Sequence, residues 1–401
     1  MTSNPTRHSM IIFSSVAFFI LLSTYIISLL ARGYQFSIKN GFTLSPTGII
    51  SAVSRPKGAS VYIDDKLITA TDDTINLSPG EYKLKINKDG FLPWEKNITI
   101  KKETVYQADI QLFSSVPNLK PVTLTGAINP SINADNSKIV YVVASASATK
   151  DNGLYLMESS GLPISLLRSD SRQLSPNTTI INWSEFIYTF SPNSRQILAS
   201  NPKTKINYLL SLDTPISSQK LADITTELKD IKTEWQTQTS LIINTKLERV
   251  PKEIHQLIAT DSAQYIQFSS DDDKILYLSQ KDEEIKSNLI TPPPAQSTQT
   301  QQRQVKAGSY YVYDIKDDTN FLIGSKDKIS QISWLANSNN LVFVQDQNLK
   351  VVDYDGTNKQ TIFAENFDAN CVAVWNDGSK IIILTKPYPS APSNLYAISI
   401  K

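Results

Sequence analysis

Phe268-Ser-Ser-Asp-Asp-Asp-Lys274 runs straight into Ile275-Leu-Tyr-Leu278: a bulky residue, a tight polar turn, then an apolar run. The phrase recurs from Ile132 (before Ile139-Val-Tyr-Val142), Phe190 (before Ile197-Leu-Ala199), Trp334 (before Leu341-Val-Phe-Val344) and Trp375 (before Ile381-Ile-Ile-Leu384). A degraded copy sets Trp235 ahead of Leu241-Ile-Ile243. Asp, Asn and Ser suit such turns because their side chains hydrogen-bond nearby backbone. A strand, a turn and a second strand cannot bury an apolar face alone. Recurrence roughly every 40 residues therefore implies stacked units, and with strands only it predicts a β-propeller. The copies argue about six blades, over residues 120–401.

A second strand signal follows each turn: Leu154-Tyr-Leu-Met157, Tyr208 to Asp213, Tyr311-Val-Tyr-Asp314, Leu349 to Asp353 and Leu395-Tyr-Ala-Ile398. Its closing Asp and the turn Tyr354-Asp355-Gly356 suit the third strand of a four-stranded blade. The longest interval, after Phe268, holds Ile290-Thr-Pro-Pro-Pro-Ala-Gln-Ser-Thr-Gln-Thr-Gln-Gln-Arg-Gln304. That run is too polar and Pro-rich to build a core, so a disordered insertion is expected at about 286–308.

Ahead of the repeats, residues 48–113 alternate with period two and turn every eight to twelve residues, which reads as a small β-sandwich of about seven short strands. Arg55-Pro-Lys-Gly58, Ser78-Pro-Gly80 and Asp89-Gly90 are its turns. Residues 32–47 read as a polar spacer. From Met10 to Ala31 the sequence carries no charge, and about 20 such residues span a hydrocarbon layer of ~30 Å. The stretch is longer than the apolar core of a cleaved signal peptide and lacks a small-x-small site before Arg32. We therefore expect a transmembrane signal-anchor over 10–31, a short cytoplasmic tail over 1–9, and an extracytoplasmic body. Arg7 against Arg32 and Lys39 does not decide orientation by charge; the short tail and large strand-rich body do.

Lys and Arg total 39 against 38 Asp and Glu, a net charge of +1, so no global field favours nucleic acid. Local runs such as Lys101-Lys102 read as solvated strand ends. The single cysteine, Cys371, excludes an intramolecular disulfide and any multi-cysteine metal site. Of two histidines, His8 and His255, only His255 lies in the body to serve a serine nucleophile as base. No Gly-x-Ser-x-Gly, phosphate loop or His-Glu-x-x-His occurs. Tyr62, Tyr82, Phe91 and Trp94 suggest a sugar-stacking face, though alternating aromatics in a small sandwich are usually core. Asp64-Asp65 and Asp72-Asp73 suggest calcium, though an oxygen cage needs six or more ligands. Asp271-Asp272-Asp273 occupies the repeat turn. Carboxylates converging from distant blades for glycoside hydrolysis stay open.

Pro56-Lys-Gly-Ala-Ser-Val-Tyr-Ile-Asp64, Leu77-Ser-Pro-Gly-Glu-Tyr82 and Lys88-Asp-Gly-Phe91, in that order, make residues 48–113 resemble the PEGA domain. That resemblance implies an envelope module without catalytic residues. Phe190-Ser-Pro-Asn-Ser194 and Trp375-Asn-Asp-Gly-Ser-Lys380 resemble the Trp-Ser-Pro-Asp-Gly-Lys phrase of TolB-type propellers, although most copies replace the Gly. The expectation is an all-β, membrane-anchored envelope protein with no catalysis, cofactor or metal, its PEGA module and propeller binding a protein or cell-wall polysaccharide. The alternative is a propeller-type carbohydrate-processing enzyme. A sensor lacks room for an output domain in so short a tail.

Overall fold

Residues 5–31, 34–37, 43–159, 171–214, 216, 221–258, 266–286, 289–291, 297–375, 378–386, 388 and 390–400 are described by the computed structural model of the chain. Arg32, Lys39, most of the Pro-rich run at 292–296 and the turn residues Asn376 and Asp377 lie outside them. The chain forms two units: one of Met1–Lys88, Pro93–Leu112 and Pro293–Gln299, the other of Asp89–Leu92, Phe113–Pro292 and Thr300–Lys401.

The first unit opens with helix α1, Pro5–Ala31. Its segment Ser9–Ala31 has mean hydropathy 2.3, is unburied, and is long and apolar enough to cross a membrane. The Tyr34 amide donates to the Leu29 carbonyl at 3.1 Å, closing the helix end. A short hairpin follows in the stretch read as spacer: β1 (Gln35–Ser37) pairs with β2 (Thr43–Ser45).

Seven strands then make the sandwich: β3 (Gly48–Arg55), β4 (Ser60–Ile63), β5 (Lys66–Ala70), β6 (Asp73–Leu77), β7 (Gly80–Asn87), β8 (Trp94–Ile100) and β9 (Val105–Gln111). They form sheets β6-β3-β9 and β5-β4-β7-β8. Strict alternation buries Ile50, Ala52, Val61, Ile63, Leu84, Ile86, Ile98, Ile100, Ala108 and Ile110, the pattern expected where each sheet turns one face inward. Gly48 is required at the start of β3, since a Cβ there would sit 2.4 Å from the Lys101 carbonyl oxygen. The free edge of β8 has partners from the same unit. The Thr99 amide donates to Thr298 Oγ1 at 3.3 Å, and Gln299 Nε2 donates to the Asn97 carbonyl at 2.6 Å, which covers part of an exposed strand edge.

The second unit is a β-propeller. Its strands are β10 (Leu119–Pro121), β11 (Ile128–Ile132), β12 (Lys138–Val143), β13 (Gly153–Glu158), β14 (Ser171–Pro176), β15 (Ile187–Phe190), β16 (Gln196–Ser200) and β17 (Asn207–Ser211). Helices α2 (Leu228–Leu247) and α3 (Lys252–Ile258) interrupt them. Then come β18 (Ile266–Phe268), β19 (Lys274–Leu278), β20 (Glu283–Glu284), β21 (Gln304–Val305), β22 (Ser309–Asp314), β23 (Thr319–Ser325), β24 (Ser330–Trp334), β25 (Asn340–Gln345), β26 (Asn348–Asp353), β27 (Gln360–Phe363), β28 (Phe367–Val374), β29 (Lys380–Thr385) and β30 (Asn394–Ser399). Among the described residues the blade sheets are β11 to β14, β15 to β17, β18-β19-β22-β23, β24 to β27, and β28-β29-β30-β10. Innermost strands neighbour one another: β15 lies beside β11, β11 beside β28, β28 beside β24, and β24 beside β18. Each interface between neighbouring sheets is apolar, as with Cys371, Ala373 and Ile382 against Ile139, Tyr141 and Val143.

The repeat turns share one geometry. Asn136, Ser194, Asp272, Ser338 and Gly378 all have positive φ, between 56° and 64°, the conformation for which glycine is the usual residue. The amide of each donates three residues back, to Asn133, Ser191, Ser269, Leu335 and Trp375. Side chains complete the loop, for example Asn133 Oδ1, Ser191 Oγ and Ser269 Oγ accepting from the amides of Lys138, Gln196 and Lys274.

Trp235 departs from this expectation. It and Leu241 lie in α2, not in a turn and strand. The residue that would need positive φ is β-branched Thr239, and no Gly, Asn or Asp stands between the two apolar groups. Leu228, Ile231, Trp235, Thr239, Ile243 and Leu247 are at least half-buried at spacings of three or four, which is helical periodicity. Leu247, Val250 and Ile254 pack against Ile275, Tyr277 and Tyr311 of the β18–β23 sheet.

Candidate interaction surfaces

The residues weighed for chemistry are held by local structure. Asp271 Oδ1 accepts from Ser269 Oγ and the Asp273 amide. Asp272 pairs with Lys246 at 2.6 Å and with Arg249, and Asp273 with Lys316. In the sandwich, Asp64 Oδ1 accepts the Lys83 amide, Asp65 pairs with Lys83, and Asp72 with Lys57. Thr69 Oγ1 donates to Asp73, which with the Thr74 amide holds that carboxyl below its usual range. Asp64, Asp65 and Asp72 sit at positive φ, where Asp substitutes for Gly in turns. Among the described residues no group of three His, Cys, Asp or Glu could hold a metal ion.

Of the four aromatics weighed for stacking, the three in the first unit do not share a face. Trp94 is buried in the core. Tyr82, in step with Leu84, donates its hydroxyl to the Ser78 carbonyl. Tyr62 lies on the opposite face, across from Lys85, and Phe91 belongs to the second unit, bridging to Ser114. His255 Nε2 meets the Leu247 carbonyl at the helix end, and among the described residues no hydrogen bond joins it to a serine. Cys371 is buried in β28, and burial pushes its thiol up to about 12.

Sequence reasoning missed a buried ionic knot. Within the stretch read as an insertion, Arg303 donates to Asp318 Oδ1 at 3.1 Å and to the Lys286 carbonyl. Tyr313 and the Leu289 amide donate to the same carboxylate at 2.8 and 2.9 Å. Asn320 then accepts from Tyr277 and donates to the Gln302 carbonyl. A buried charge needs such full pairing. The available signal was that Arg303 is the one charged residue between Lys286 and Lys306.

Irregularity falls on both the outer and the innermost strand pairs of the blades: β13 with β14, β22 with β23 and β26 with β27 also shift register. Register shifts interrupt β11 between Ile128 and Ser131, β24 between Ser330 and Ser333, and β28 between Phe367 and Val372. Asn129 and Gln331 within them have positive φ of 48° and 49°. Bulges re-aim side chains and end pairing. Here they leave Asn129, Gln331, Asp368 and Asn370 exposed on adjacent strands. Asn129 Nδ2 also donates to Ser184 and Phe186 of the next blade. These four residues form a polar set on three neighbouring inner strands.

Residues 47–115 match the PEGA domain family; they enclose the whole sandwich. No curated protein sequence matches the chain. Among solved structures, TolB from Acinetobacter baumannii aligns at 11% identity and TM-score 0.23, covering 85% of this chain and 64% of that one, less than two thirds of its length. A TolB from Agrobacterium tumefaciens aligns at 12% identity and TM-score 0.19, covering 77% and 89%. The holo PQQ domain of pyranose dehydrogenase from Coprinopsis cinerea aligns at 10% and 0.29, covering 72% and 96%. Overlap at this level leaves the propeller assignment resting on the sheets themselves.

Proposed function

We propose that this chain is a non-enzymatic envelope protein, held by α1 as an uncleaved membrane anchor. The PEGA sandwich stands next to the membrane, and the propeller offers loops and inner-strand bulges to a protein or to cell-wall polysaccharide. One observation carries the reading: an unburied apolar helical segment of 23 residues is followed, after the short β1–β2 hairpin, by a PEGA module, a domain associated with envelopes. Rigid strands bearing irregular polar segments are a common way to present a binding surface. The turn carboxylates support binding over catalysis, because their oxygens are engaged by turn amides and lysines.

Fractionation of cells expressing the full chain tests the anchor. Retention of the unprocessed chain in membranes through an alkaline carbonate wash, with the body open to external protease, is the expected result. Release of a shortened soluble chain would overturn it. Crosslinking from positions 129 and 331, followed by capture from the native envelope, tests the binding surface. Turnover of a glycan by the purified chain, abolished by one Asp or Glu substitution, would replace the binding reading with the enzymatic one.

A further inference from the structure

We propose that the turn Lys101–Thr104 of the sandwich docks on the anionic phospholipid headgroups of the bilayer that α1 spans. The inference rests on the anchor reading above and adds a lipid contact to it. Its basis is a two-point link within the first unit. The Tyr34 amide is fixed to the helix end through the Leu29 carbonyl, and the Tyr34 hydroxyl donates to Glu103 Oε1 at 2.7 Å. The Glu103 amide in turn donates to the Thr47 carbonyl at 3.0 Å, and Thr104 Oγ1 to the Lys101 carbonyl at 2.9 Å. One residue thus joins the end of the span to the β8–β9 turn.

Reach and chemistry agree. Tyr34 is three residues past Ala31, so the chain between them covers at most ~10 Å. The polar layer outside the hydrocarbon is roughly 5–7 Å deep, and charge is felt over about 8 Å beyond a surface at physiological salt. The turn therefore stands where headgroup phosphates are. Lys101 and Lys102 are exposed and make no ion pair among the described residues, while the acid between them and Thr104 is the one engaged by Tyr34. Beside them Val105, at the start of β9, is 44% exposed. Two ammonium groups next to an exposed aliphatic side chain suit an interface that is anionic above and apolar below.

The test uses the full chain in nanodiscs of phosphatidylcholine alone or with about one third phosphatidylglycerol. A fluorophore is placed by Ser78→Cys, an exposed turn at the same end of the sandwich; buried Cys371 does not compete for it. Quenching by lipid-borne nitroxide reads the approach of the tip. Expected is stronger quenching with phosphatidylglycerol, reversed by high salt. Lys101→Gln with Lys102→Gln should weaken docking roughly tenfold or more, and Tyr34→Phe should weaken it with both lysines kept. Quenching indifferent to lipid charge and to the double substitution overturns the proposal. An equal loss from Lys57→Gln with Lys88→Gln, at the opposite end, also overturns it, since net charge would then be the cause. A chain that does not co-migrate with the discs overturns the anchor reading itself, a result distinct from both.

Discussion

At the scale of single residues, Cys371 is a buried packing group, not a reactive thiol. It is 2% exposed among Ala373, Trp375 and Ile382, and burial, with the Asp368 carboxylate adding to it, pushes its pKa up to about 12. At pH 8 only about one in ten thousand such thiols is ionised, and the thiolate is the nucleophile. Native chain should therefore resist a disulfide-exchange reagent at pH 8 and react fully once denatured; modification at the rate of an exposed cysteine would contradict the packing. Glu95 gives a complementary prediction. Lys85 and Lys83 reach its two oxygens at 3.0 and 3.1 Å and hold its carboxyl below the usual range. A depressed folded-state pKa stabilises above the unfolded value, near 4.5, and the gain fades as pH falls through the folded one. The site is partly open to solvent, so Glu95→Gln should cost at most about 0.5 kcal/mol at pH 7. Urea midpoints of the two forms should converge as pH falls below the usual carboxylate range; a constant gap across pH would assign the effect to packing.

At the scale of elements, α2 shows what a phrase can hide. Its buried stripe ends in Leu247, 2% exposed, whereas Leu241 on the other side is 68% exposed. Leu247→Ala should lower the stability of the second unit by roughly 2–5 kcal/mol, and Leu241→Asn should change it by no more than about 0.5 kcal/mol. Equal losses at the two positions, by chemical denaturation, would mean that α2 is covered on both sides. The same contrast explains what was legible. The sandwich and the repeat turns were readable because alternation and positive-φ residues are local properties, written at fixed spacing around Asn136, Ser194, Asp272, Ser338 and Gly378. Trp235 misled because a bulky residue followed by an apolar run fits a strand phrase until the intervening Gln-Thr-Gln-Thr is asked to make a tight turn. Tyr34 with Glu103 was not legible, because the two lie 69 residues apart and neither carries a local mark of the other; Arg303 stood out as a lone charge in a polar run, but nothing local named Asp318 as its partner. The inner-strand bulges were hidden for a related reason, since Asn129 and Gln331 show their unusual φ only against a neighbouring strand.

At the scale of the whole second unit, the ring depends on a fastening between segments about 270 residues apart in sequence. β10 pairs with β30, Leu119 opposite Ile398 and Pro121 opposite Tyr396, so the last sheet is completed by a strand from the beginning of the propeller. Such closure removes a sheet edge that would otherwise template aggregation. Its fixed point is a small polar cluster. Asn394 Oδ1 accepts from Thr123 Oγ1 at 3.0 Å and from the Gly126 amide at 2.9 Å. The Leu395 amide donates back to Thr123 Oγ1 at 2.9 Å, and the Val122 amide to the Leu395 carbonyl at 2.8 Å. Asn394 and Thr123 are both buried, so a lost acceptor is not replaced cheaply by water. Asn394→Ala strands the Gly126 amide and should cost about 1–3 kcal/mol, whereas Asn394→Asp keeps the acceptor oxygens at the expense of a buried charge. Hydrogen exchange gives the decisive readout. With alanine at 394, the amides of Val122, Gly126 and Leu395 should lose protection together, ahead of those in β12 or β25. If protection instead falls evenly around the ring, or if only global stability drops, the closure is not a separate fastening but one more blade interface.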